Sequence, residues 1–260
     1  MRSVRLFGIT IHNVDMEEAL RVILEDWMAR EGEKHFVTTP NVDHLVKLQR
    51  DPGFREVYAH ASLVVADGMP VVWASRLLGR PLKERVTGAD LMQKICERAA
   101  LERRSVFLLG GRSGVAARAV DNLQRRLPAL KIAGFHSPPL GFESDEAESR
   151  RMCERVNAAK PDILFVALGA PKQEKWLYRY LSDLQFKAAL CVGAAIDFEA
   201  GVVRRAPRWM HGAGMEWLWR LFQDPRRLWR RYLVEDTAFF GLCWRELASR
   251  DSAAVKRPIA

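Results

Sequence analysis

An aspartate stands directly after an apolar run in Val64-Val65-Ala66-Asp67-Gly68-Met69-Pro70. If the run is a strand, its end holds that carboxylate where burial can lift the pKa toward neutrality, which suits a general base. A turn aspartate bonding its own backbone fits the same residues. Polar side chains fill the equivalent place in Thr38-Thr39-Pro40-Asn41. Thr39 and Asn41 there could bond sugar hydroxyls, or Asn41 could simply cap a helix.

Three glycine-marked turns follow apolar runs in the same way. Gly110-Gly111-Arg112-Ser113-Gly114 comes after Val106-Phe107-Leu108-Leu109. Glycines between a strand and a helix let backbone approach a phosphate at the helix N-terminus. The spacing is G-G-x-x-G, not the G-x-G-x-x-G of dinucleotide sites, and a plain tight turn fits equally. Gly169 opens Gly169-Ala170-Pro171-Lys172-Gln173-Glu174, which puts Gln173 near a second helix start. A solvated first turn, with Glu174 favourable to the helix dipole, is the plainer account. In Val192-Gly193-Ala194-Ala195-Ile196-Asp197 the carboxylate of Asp197 could bond a ribose or base, or only end the strand. Gly141 and Phe142 close a further turn-rich stretch that begins Ser137-Pro138-Pro139.

The elements that must position these residues alternate. Strand-like stretches fall at 4–11 (a strand or hairpin arm), 35–38, 62–66, 106–109, 132–135, 163–168 and 188–192. Helix-like stretches fall between them. Asp15 caps one expected to run to about Arg30, Asn41 another, and Asp51-Pro52 starts a third. Further helices are expected at 88–103, 113–126, 145–159 and 171–184. A β-α-β-α rhythm with fully apolar strands predicts an α/β fold with a parallel sheet covered by helices on both faces. Ligands in such folds sit beyond the carboxyl ends of the strands.

After about Gly201 the character changes. Residues 204–231 carry eight arginines against Glu216 and Asp224, with Trp209, Trp217, Trp219 and Trp229 among them. No strand signal remains there. Residues 1–201 thus read as a catalytic core, 202–248 as an arginine- and tryptophan-rich helical appendage, and 249–260 as a flexible tail. Arginine alternating with tryptophan suits a helix lying on a membrane, a helix docked on the core, or a nucleic-acid contact.

The 260 residues, 48% hydrophobic and 28% charged, exclude a disordered chain and a disulfide scaffold. The net charge of +9 calls for an anionic partner. Cys96, Cys153, Cys191 and Cys243 lack C-x-x-C spacing, and the six histidines lack metal-ligand spacing. No D-x-D pair offers a metal-bridged diphosphate site. The N-terminus is a poor signal peptide and no segment reaches a membrane span, so a cytoplasmic protein is expected.

Taken together, TTPNVDHL, VVADGMPVVW, RVTGADL, VFLLGG, PDILFVALGAPKQEKW, VGAAIDFEAG and RAPRWMHGAGMEWLWRLFQDPRRLWRRY resemble the WecG/TagA/CpsF family of bacterial glycosyltransferases. The resemblance runs in order from about Gly8 to Tyr232. It implies a Rossmann-like core and a C-terminal appendage that completes the site and engages the cytoplasmic membrane face. It also implies metal-independent, inverting transfer from a UDP-sugar to a polyprenyl-diphosphate-linked saccharide in cell-surface polysaccharide synthesis.

By motif, Asp67 matches the catalytic base. Thr39, Asn41 and Gln173 match sugar-site residues, and Arg85 lies on a loop bordering the cleft. Asp197 matches a residue near the uridine, with Gly110, Gly111, Gly141, Phe142 and Gly169 assigned to the nucleotide side. Arg220, Arg227 and Arg230 match appendage arginines for the diphosphate. No cofactor and no metal are expected, and no nucleic acid; the family includes self-associating members. Its donor sugars vary, among them N-acetylmannosamine, its uronic acid, glucose and galactose. A dinucleotide oxidoreductase and a basic nucleic-acid-binding protein remain the competing classes, with a non-catalytic membrane scaffold behind them.

Overall fold

The computed structural model describes residues 1–207, 209–210 and 214–254, apart from the side chains of Arg227 and of residues 250–254. The chain opens with an antiparallel hairpin, β1 (Ser3–Leu6) and β2 (Ile9–His12). It turns through Phe7 and Gly8, both at positive φ. The main sheet contains β3 (His35–Thr38), β4 (Leu63–Val64), β5 (Ser105–Gly110), β6 (Lys131–His136), β7 (Ile163–Ala167) and β8 (Ala188–Cys191). All pairings in it are parallel and the order is β4-β3-β8-β7-β5-β6.

The helices between the strands are α1 (Met16–Arg21), α2 (Val42–Leu48), α3 (Pro52–His60), α4 (Met69–Leu77), α5 (Gly88–Glu102), α6 (Val115–Arg126), α7 (Glu146–Ala159) and α8 (Lys172–Arg179). After β8 come α9 (Ala195–Glu199), α10 (Glu216–Gln223), α11 (Pro225–Arg230) and α12 (Ala238–Ala254). Side-chain caps set several starts. Asp15, Asn41, Asp51, Thr87 and Asp145 each accept a backbone N–H from the first turn of the helix that follows.

Strand β7 is buried along its whole length. Because side chains alternate across a strand, Ile163 and Phe165 join a layer with α1, α5, α6 and α9. Leu164 and Val166 join the opposite layer with α7 and α8. A third cluster places the hairpin, α2, α3 and α4 around Val64 and Ala66. Phe239 and Leu242 of α12 bury into that cluster, so the C-terminal helices share the core.

Local differences from the sequence expectation have physical causes. The first helix gives way at Val22–Asp26 to a wider turn in which Trp27 N–H bonds Val22 O. That turn carries Val22, Ile23 and Leu24 inward together, and Trp27 stacks on His35. The expected strand at 62–66 shrinks to Leu63–Val64, because Val65 and Asp67 bond outside the regular ladder, to Thr38 and Pro40. The expected tail boundary at 248 falls inside α12, which continues to Ala254; no glycine or proline interrupts it after Gly241. Residues 255–260 lie outside the described residues. Among the described residues no helix is long and apolar enough to cross a membrane.

Candidate active site

Helix α6 leaves β5 for one face of the sheet and α8 leaves β7 for the other. Neighbouring strands whose connections part in this way open a crevice at their carboxyl ends. The glycine turns sit at this crevice. A Cβ on Gly110 would meet Ala167 O at 2.2 Å, and its φ is +131°. Gly111 N–H donates to the same carbonyl at 3.2 Å. Close approach of two turns therefore requires Gly110. Gly169 has φ +81°, and its carbonyl accepts Gln173 N–H at 2.9 Å. Gly141 opens the short turn Phe142–Ser144, and Phe142 is spent in the core beside Leu109 and Trp176.

The three polar candidates each carry a structural bond. Thr39 Oγ1 donates to Cys191 O at 3.3 Å, tying the end of β3 to β8. Asn41 Oδ1 accepts His44 N–H at 3.2 Å, and this cap leaves the amide nitrogen to other uses. Gln173 is buried; its Oε1 accepts Gly193 N–H at 3.2 Å and its Nε2 donates to Glu174 Oε1 at 2.7 Å. Glu174 is 0% exposed, its Oε2 is without a partner, and burial pushes its pKa up to about 7. Beneath them His44, held near pKa 3 by burial, bonds Tyr58 Oη at 2.7 Å.

Two backbone bonds bring the charged groups together. Asp67 N–H donates to Pro40 O and Val86 N–H to Ala66 O, each at 2.9 Å. The second bond sets the Arg85 loop beside Asp67. Burial raises the Asp67 pKa to about 7, and the carboxylates of Glu216 and Asp90 push the same way. Arg85 and Arg220 pull against them. Arg85 Nη1 lies 3.0 Å from Glu216 Oε2, and its Nη2 lies 3.6 Å from Asp90 Oδ2. Asp90 Oδ1 takes Arg205 Nη2 at 2.5 Å, while Thr87 Oγ1 donates to Asp90 Oδ2 at 2.7 Å. Arg205 and Arg220 both lie over the ring of Phe198, at 5.7 and 5.6 Å. A carboxyl group titrating near neutrality, walled by arginines at strand ends, can take a proton and answer an anion.

A family profile described as "Glycosyl transferase WecG/TagA/CpsF family" matches residues 4–253. The chain belongs to this family. Its relatives include an "N-acetylglucosaminyldiphosphoundecaprenol N-acetyl-beta-D-mannosaminyltransferase" of Bacillus spizizenii, 32% identical over 198 residues, which is 76% of this chain and 74% of the relative. A protein of the same name in Staphylococcus aureus is 30% identical, covering 88% of this chain and 87% of its own. A third, in Bacillus subtilis, is 29% identical and covers 86% of each. The protein is accordingly a glycosyltransferase, and the oxidoreductase reading of the glycine turn falls away.

In this WecG/TagA/CpsF chain the fold gathers Asp67, Arg85 and Arg220 into one electrostatic group. Thr39 and Gln173 approach from the ends of β3 and the start of α8, and Asp197 stands in the first turn of α9 beside Phe198. Arg230 is not part of that group: it is 74% exposed and pairs with Glu235 at 3.5 Å. Arg227 lies on α11, and its side chain is outside the described residues. Sequence reasoning missed Glu216, Asp90, Arg205 and Phe198. All four sat inside motifs already singled out, RVTGADL, VGAAIDFEAG and RAPRWMHGAGMEWLWRLFQDPRRLWRRY, but spacing alone did not pair them. Among the described residues no group of three or more His, Cys, Asp or Glu is arranged to hold a metal.

Proposed function

We propose that this glycosyltransferase moves a sugar from a UDP-sugar to a polyprenyl-diphosphate-linked saccharide, with inversion and without a metal. The observation that carries the reading is the set of charges around Asp67: a carboxyl group held near pKa 7 with Arg85 and Arg220 acting on it. The names of the relatives, which specify a diphosphoundecaprenol-linked acceptor and an N-acetylmannosaminyl group, support the substrate class.

Asp67 takes the proton of an acceptor hydroxyl. That oxygen forms its bond to the anomeric carbon as the bond to UDP breaks on the opposite face, so an α-linked donor gives a β-linked product. Arg220 and Arg85 answer the charge that develops on the departing diphosphate. Gly110, Gly111, Gly169 and Asp197 stand on the nucleotide side, and Thr39, Asn41 and Gln173 on the sugar side.

The protein works on the cytoplasmic membrane face without crossing it. Phe240 and Trp244 on α12 are 75% and 74% exposed, and Phe222, Trp229, Leu233 and Val234 are exposed nearby among arginines. Aromatic and aliphatic side chains beside arginines suit insertion at an anionic lipid surface.

The test is a panel of UDP-sugars offered with a polyprenyl-diphosphate-saccharide mimic, vesicles and EDTA. Acceptor-dependent UDP release with one donor is expected. No release with any donor, together with no UDP binding by calorimetry, overturns the reading.

A further inference from the structure

We propose that Glu216 is a positioning residue for the transfer reaction: it fixes the Arg85 fork, latches α10 over the cleft and keeps Arg85 off Asp67. The inference rests on the transferase reading above and gives its site a part that reading does not assign.

Apolar burial does little to hold α10, which contributes no fully buried residue. One side of the helix is clasped to the segment before it: Trp219 Nε1 and Gln223 Nε2 both donate to Arg204 O, at 3.1 and 2.9 Å. That clasp ties two parts of the C-terminal region to each other. Helix α10 and the residues just before it reach the core through the Arg85–Glu216 pair, the Arg220 contact with Phe198, and Gly214 against Trp73 of α4, while Arg205 on Asp90 and Phe239 and Leu242 of α12 anchor the flanking segments. A Cβ on Gly214 would meet the Trp73 ring at 2.4 Å.

Arg85 has two carboxylates in reach. Asp90 is the poorer partner, at 3.6 Å, and is already engaged by Arg205 and Thr87. Glu216 is the closer, at 3.0 Å. Arg85 is only 14% exposed, so a guanidinium released by Glu216 must find another carboxylate nearby rather than water. Besides Asp90, the carboxylate on which Arg85 already acts in this cleft is Asp67. A direct pair with Arg85 would hold Asp67 ionised but strip it of basicity. The groups acting on Asp67 come from every side of the cleft. They are Glu216 and Arg220 from α10, Arg85 from the loop before α5 and Asp90 from α5, and Asp67 in turn helps to raise the pKa of Tyr58 on α3.

Two variants separate the roles of the side chain. Glu216→Gln still accepts an Arg85 N–H but carries no charge; Glu216→Ala does neither. Hydrogen exchange of the α10 amides reads docking without any substrate. The full chain with Glu216→Ala is expected to exchange residues 216–223 about tenfold faster or more, with β5 and β7 unchanged, and Glu216→Gln to stay near wild type. In turnover with the UDP-sugar and vesicles, Glu216→Ala raises the donor KM and lowers kcat, while Glu216→Gln largely keeps KM. In both, the acidic limb of kcat moves to lower pH by about half a unit or more. Wild-type exchange in Glu216→Ala, or wild-type kinetics with an unmoved acidic limb, overturns the proposal. If no donor turns over with the wild-type chain, exchange still decides the latch, and the transferase reading fails separately.

Discussion

The guanidinium of Arg220 lies 5.6 Å from the ring centroid of Phe198, one residue beyond Asp197. Arg205 packs against the same ring at 5.7 Å. The ring therefore joins the helix that follows β8 to the C-terminal arginines. A partly exposed cation–ring contact is worth about 0.5–1 kcal/mol. Phe198→Ala is expected to weaken UDP binding about two- to fivefold by calorimetry. Unchanged affinity would detach Arg220 from the diphosphate.

Asp67→Asn removes the base while keeping the side chain's shape. Turnover should fall by about 10²–10⁴-fold, the usual worth of general-base help, with UDP affinity nearly intact. Retained turnover would take Asp67 out of the base role.

The pH profile of kcat follows from the raised pKa. A base must be deprotonated to act, and Asp67 holds its proton until about pH 7. Activity should therefore rise as pH passes upward through about 7 and fall on the acid side. A profile flat from pH 5.5 to 8 would contradict it.

Glu174 gives a stability prediction of opposite use. Its folded pKa of about 7 lies above the unfolded value near 4.5. The folded state thus binds the proton more tightly, so stability is greatest below the unfolded value and falls as pH rises toward 7. Glu174→Gln keeps an acceptor for Gln173 Nε2 and cannot ionise. It should flatten this fall, on the order of 1–3 kcal/mol at pH 8, read from urea melts at pH 5 and pH 8.

Membrane attachment is best tested on the surface of α11 and α12. A chain cut near Gly201 would also uncover the core cluster that Phe239 and Leu242 complete. Replacing Trp229, Phe240 and Trp244 with serine removes mostly exposed apolar area and leaves Phe239 and Leu242 in place. The triple variant should lose most of its flotation with anionic vesicles while melting at nearly the wild-type temperature. Equal flotation would place the lipid contact elsewhere.

Much of this molecule was legible before any coordinates. Short, largely apolar runs specify strands buried on both faces, and a cap residue before several of the helices marks where the chain turns. These signals are local, so the sequence sufficed to predict β3, β5, β7 and β8 and the starts of α2, α3, α5 and α7. The motif order carried the family. It could not say which of the plainer roles each polar residue also fills: Asn41 caps, Gln173 bonds Gly193, and Gly110 makes room for Ala167.

What the tertiary structure alone decided is the company each charge keeps. Arg85 and Glu216 are 131 residues apart in sequence and 3.0 Å apart in space. Asp67 owes its pKa to burial and to groups drawn from two other stretches of chain, Arg85 with Asp90 and Glu216 with Arg220. Electrostatic coupling depends on distance through the folded interior, and no periodicity or spacing along one strand or helix encodes it. For the same reason Arg220 and Arg230, ten residues apart in one basic run, end in different places: one over Phe198 and acting on Asp67, the other in solvent beside Glu235.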